Sequence, residues 1–104
     1  MQKVYRQGDV VITRIEALPS GKSEVRKNGC LAYGEVTGHA HRVADLQQAE
    51  VLEMPEGLFL RVSENGVSIT HEEHGAVAVP PGVYSVGIKT EFDYFEKSIR
   101  QVQD

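Results

Sequence analysis

Every histidine of this chain lies in one of two short stretches, Thr37-Gly38-His39-Ala40-His41 and His71-Glu72-Glu73-His74. His41 and His71 lie thirty positions apart. Neutral imidazoles and carboxylates are the ligands that Zn, Fe, Mn, Ni and Cu take in water-accessible pockets. Two close-set histidine pairs therefore predict a site for one divalent transition metal (Zn, Fe, Mn or Ni), with His39, His41, His71, Glu73 and His74 as candidate ligands. Other chemistry suits the same residues. They can be solvated surface histidines, or core histidines satisfied by hydrogen bonds. They can also form a metal-free active site in which one histidine is a general base oriented by Glu35 or Glu73.

The spacing decides which backbone can use them. In a strand, the two residues of His-x-His point to one face, about 6.5–7 Å apart at the backbone. On a helix the same spacing would point them apart. Gly38 lets the chain bend just before the pair. The second cluster has two readings. If 67–79 is one regular strand, His71 and Glu73 point inward with Val67, Ile69, Val77 and Val79, and His74 points out. If the chain bulges or turns over Glu72 to Gly75, His74 swings in beside His71 and the site has four histidines. His-Glu-Glu-His is not the zincin motif, whose histidines stand four apart on a helix. Glu35 shares the odd-numbered face of a 30–43 strand with His39 and His41. It is the candidate catalytic carboxylate, as a general base or as an acceptor for an imidazole N–H. A solvated glutamate on a strand end is the plainer reading.

The elements that must position these residues read as strands throughout. Residues 1–7 form a polar lead-in, and Asp9 to Ile15 is rich in β-branched residues. A surface loop or loosely held hairpin is expected over about 18–29, then a strand over 30–43, with Gly38 as the point where it can break. Ala44 to Gln48 reads as a short turn or a single helical turn. Strands follow at 50–54, 58–62 and 67–70. Pro55-Glu56-Gly57 separates the first two, and Asn65-Gly66, a hairpin signal, the last two. Pro80-Pro81-Gly82 marks a corner. The longest strand is expected over 83–95, with a last edge strand over 98–102. Short strands every eight to twelve residues, without helical periodicity, predict an all-β fold: one small barrel or sandwich domain spanning 1–104.

Composition narrows the function classes. The chain has 104 residues, 40% hydrophobic and 25% charged, with net charge −4. That suits one soluble domain. No apolar run is long enough to span a membrane as a helix. The first residues lack the apolar core of a secretory signal, so a cytoplasmic location is the expectation. The basic residues form no stripe, which argues against nucleic-acid binding. Cys30 is the single cysteine. No intrachain disulfide is possible, and a small packed residue is a better reading than a catalytic thiol.

His39-Ala40-His41 with a later histidine and a glutamate on a small β fold resembles the metal site of cupins. The match is partial. Asp45 is the only acid close after His41, where a cupin has its glutamate, and Pro80-Pro81-Gly82 follows His74 instead of preceding it. The whole chain also resembles small uncharacterised proteins of bacterial and phage genomes. These share a Gln-Gly-Asp strand start, here Gln7-Gly8-Asp9, with Thr-Gly-His-x-His and His-Glu-Glu-His; that resemblance implies no activity.

Two functions are thus expected to compete. One is a metal-binding β-barrel that acts as a metal-dependent enzyme, of hydrolase or oxygenase type, on a small-molecule ligand. The other is a non-catalytic binding or assembly module, forming a homo-oligomer through Phe92, Tyr94 and Phe95, with structural histidines.

Overall fold

The computed structural model describes residues 3–33 and 39–89. Within them run ten strands: β1 (Val4–Gln7), β2 (Val10–Ile15), β3 (Glu24–Val25), β4 (Cys30–Tyr33), β5 (Ala40–Val43), β6 (Ala49–Met54), β7 (Gly57–Val62), β8 (Val67–Thr70), β9 (Val77–Val79) and β10 (Gly82–Ile88). They form two antiparallel sheets, one ordered β1-β2-β10-β7-β6-β3 and the other β4-β5-β8-β9. Each sheet keeps two edges, so the fold is a sandwich and not a closed barrel. No described residue is helical, so no helix is long and apolar enough to cross a membrane.

Strand alternation builds the core between the sheets. Val10 and Ile12 of β2, Leu60 and Val62 of β7, and Tyr84 of β10 come from the larger sheet. Leu31 of β4, Val43 of β5, Ile69 of β8 and Val79 of β9 meet them from the smaller one. The polar lead-in is in fact an edge strand, β1. Its Tyr5 packs edge-on against Tyr84, with ring centroids 6.1 Å apart. Tyr84 also lies under the Arg14 guanidinium and donates its hydroxyl proton to the Pro80 carbonyl. Burial, then Tyr5, raises its pKa above the usual phenol value. It is a core residue; Tyr33 is exposed.

Three expectations about connection are corrected. Residues 30–43 are not one strand: β4 and β5 are antiparallel partners, with Tyr33 opposite Ala40, so the chain reverses between them. Glu35, like Thr37, lies outside the described residues. Residues 67–79 are not one strand either, because β8 pairs with β9 (Val67 opposite Val79) and 71–76 connect them. Asn65-Gly66 makes its turn, with Gly66 at φ 71°, but it closes no hairpin. It carries the chain from β7 in one sheet to β8 in the other. The signal was local, and the sheet each strand joins is decided by which partners cover its apolar face.

The loop expected over 18–29 contributes the short edge strand β3, paired with β6 through Glu24 and Val25. β10 lies between β2 and β7, its Ile88 opposite Val10. Positions 90–95 of the expected 83–95 strand, the strand at 98–102 and the aromatic residues Phe92, Tyr94 and Phe95 lie outside the described residues.

Candidate functional site

The site forms where three connections meet. These are the β1–β2 turn, the start of β5, and the β8–β9 connection. In the β5–β8 pair, Arg42 stands opposite Thr70 and Val43 opposite Ile69. One step further along the same register, His41 faces His71. His39 lies just before β5 and His41 within it; both rings reach His71, with centroids at 5.7 Å from His39 and 4.3 Å from His41.

β8 ends at Thr70 and the chain bends through 72–74. That bend sets the His74 ring beside that of His71, on a residue that stays exposed. Its ring lies 4.7 Å from His71 and 5.9 Å from His41. All four histidines thus gather in one cluster. Gly8, at φ 59° in the β1–β2 turn, leaves the room: a Cβ built there would stand 2.8 Å from His74 Nε2.

The acids divide differently from the sequence expectation. Ligand atoms of His39, His71 and Glu72 all lie within 4.8 Å of one another. Glu73 approaches His39, with 3.7 Å between Oε1 and Nδ1, beyond hydrogen-bond distance. Glu72 Oε1 accepts the Ala40 N–H at 2.7 Å. This bond, followed by that of its own backbone amide, lowers the Glu72 pKa, and His39 and His71 lower it further. Glu72 therefore stands as a carboxylate beside two imidazoles, a donor set that suits a divalent transition metal.

Each ring has its own hydrogen-bond state. His39 Nδ1 is the one buried side-chain nitrogen or oxygen among the described residues with no hydrogen-bond partner. Such an orphan costs about 1–3 kcal/mol, and a metal ion would satisfy it. His71 Nδ1 accepts the Glu73 N–H at 3.0 Å. A metal at either nitrogen of His71 must displace that bond, by taking Nδ1 or by moving the proton to it. The bond is worth only about 0.5–1.5 kcal/mol, against roughly 10 kcal/mol or more for a structural zinc site. It is no obstacle.

His41 is 2% exposed. Burial, then the neighbouring His71, lowers its pKa below the ordinary imidazole value; Asp9 acts weakly the other way. Its Nδ1 is 2.8 Å from Gln7 Oε1, and its Nε2 is 4.0 Å from Asp9 Oδ1. Gln7 and Asp9 were not among the residues expected at the site. Gln7 looked like the end of a polar lead-in, and its partners lie far along the chain. The one available signal was the Gln7-Gly8-Asp9 motif, read only as part of a resemblance.

The family described as Domain of unknown function (DUF8820) matches residues 6–89 of the chain. That span contains every residue of the site named above. No curated protein and no solved structure matches the chain.

Proposed function

The chain belongs to the DUF8820 family, and we propose that it is a metal-binding β-sandwich protein that holds a divalent transition metal (Zn, Fe, Mn or Ni) at its histidine cluster. The observation that carries this reading is His39 Nδ1, buried and without a hydrogen-bond partner, on a residue whose ligand atom lies within 4.8 Å of those of His71 and Glu72. The rings of His41 and His74 lie against His71 on its other sides. The partial likeness to cupin sites supports the same reading. With three protein ligands, a position stays open for water or a substrate oxygen, which is the arrangement of a metal-dependent enzyme acting on a small molecule. With a fourth, from Glu73, His41 or His74, the shell closes and the metal is structural.

The test is elemental analysis of untagged protein, wild type beside His39→Ala, His71→Ala, Glu72→Gln and Glu73→Gln. The wild type should hold close to one equivalent of metal. Both histidine variants should lose it. Glu72→Gln should weaken binding at least tenfold, and Glu73→Gln should weaken it less. A wild type that stays empty after incubation with zinc, iron, manganese and nickel would remove the proposal.

One observation favours a second reading, an assembly or structural module without catalysis. Gln7 and the packed rings already tie the three connections together without an ion. On that reading the apo protein keeps its full stability and metal adds nothing to it.

A further inference from the structure

Gln7 and His41 are the two buried polar side chains among the described residues, and they are bonded to each other. The side-chain amide of Gln7 makes three hydrogen bonds. Its Nε2 donates to the Ile69 carbonyl at 2.8 Å and to the Gly75 carbonyl at 2.9 Å. Carbonyls only accept, so both amide hydrogens are committed and the orientation of the amide is fixed. Its oxygen must then be the end that faces His41. That oxygen can only accept, so His41 Nδ1 carries the proton. A neutral imidazole has one N–H, which leaves Nε2 as a bare lone pair, 4.0 Å from the Asp9 carboxylate.

We infer that Gln7 is the positioning residue of the site: it sets His41 in the Nδ1–H form so that Nε2 is free to bind a cation, and it clamps the segment carrying His71 and His74. The two carbonyls it holds bracket that segment, Ile69 before His71 and Gly75 just after His74. A single amide therefore fixes the tautomer of His41 in the first histidine cluster and holds the second in its place. Metal-bound histidines generally need such a partner on the second nitrogen, and its loss typically costs 10–100-fold in metal affinity. An extended apolar side chain at position 7 would keep the packing and lose all three bonds. A glutamate would keep the acceptor for His41 and place a carboxylate against two carbonyls.

The inference rests on the metal-binding reading for what the free nitrogen does, and its test separates the two. Long-range proton–nitrogen correlation spectra of histidine-labelled, metal-free, full-length protein, above the titration range of imidazole, report the tautomer directly. His41 should be Nδ1–H in the wild type and in Gln7→Glu. In Gln7→Met it should shift toward the Nε2–H form. Zinc titration of the same proteins should show at least tenfold weaker binding in Gln7→Met. A wild-type His41 in the Nε2–H form overturns the inference, and so does a Gln7→Met protein with unchanged tautomer and zinc affinity. Should Gln7→Met fail to fold, Gln7→Glu decides: loss of the Nδ1–H form there overturns the inference equally. A wild type with the expected tautomer that takes up no zinc leaves Gln7 as the residue that sets His41, and removes the metal reading alone.

Discussion

At the scale of single residues, His41 is an imidazole whose ionisation the fold opposes. Burial comes first among the causes, with His71 and His74 adding repulsion and Asp9 and Glu72 partly offsetting it. In the unfolded chain His41 returns to an ordinary imidazole pKa of about 6.5. Its folded pKa lies below that, so the unfolded state binds more protons between the two values. The metal-free protein should therefore keep its full stability above about pH 6.5 and lose part of it as pH falls through the lowered folded value. Urea unfolding of metal-free protein between pH 5 and 8 checks this, beside His41→Asn. The asparagine amide can still donate to Gln7 but cannot titrate, and the pH slope should be shallower. A slope identical to wild type would assign the acid sensitivity to other groups. The His-x-His pair could be read from sequence because the period of a strand is local. Gln7 could not, because its partners His41, Ile69 and Gly75 lie 34, 62 and 68 positions away.

At the scale of elements, the β1–β2 turn is a wall of the site as well as a connection. Gly8 is left-handed, at φ 59°, and a Cβ there would stand only 2.8 Å from His74 Nε2. Gly8→Ala should cost about 1–2 kcal/mol for the backbone conformation alone. The clash is with the end of a side chain, so the His74 ring moves aside and the site changes more than the fold. Thermal melts should show a modest loss, and histidine spectra should show His74 displaced while His39 stays near its wild-type position. The strands were mostly legible, since β-branched alternation and turn residues mark them. Their connections were less so. No proline or Asn-Gly marks the reversal between Tyr33 and Ala40, and alternating apolar residues on both sides imitate one continuous strand. The bend after Thr70 had one hint, Gly75, and parity alone could not choose between an inward Glu73 and an inward His74.

At the scale of the whole molecule, packing and site should come apart under mutation. Ile69 is fully buried in the core, while its carbonyl holds Gln7. Ile69→Val keeps that backbone bond and removes one methylene, so it should cost about 0.5–1.5 kcal/mol of stability with metal affinity within twofold of wild type. The reverse is expected of His39→Ala, which leaves the core intact. The site is assembled from the β1–β2 turn, the start of β5 and the β8–β9 connection, so only the folded chain can build it. Zinc at a hundred times its Kd should then add about 2.7 kcal/mol, on the order of 10 °C in Tm for a domain this small. The shift should vanish in His39→Ala, and its absence in wild type would favour the structural module.

The place of β10 between β2 and β7 bears on the birth of the protein. Val10 is paired to Ile88, 78 residues further on. At roughly 5–20 residues per second of synthesis, the apolar strand β2 spends on the order of 4–15 s with only the β1 hairpin beside it. β7 also waits, paired with β6 on one side and open on the other. Until β10 arrives, the larger sheet exists as two separate halves with bare edges, each a template for another chain. The nascent protein is thus most exposed to aggregation just before its last described strand closes the sheet.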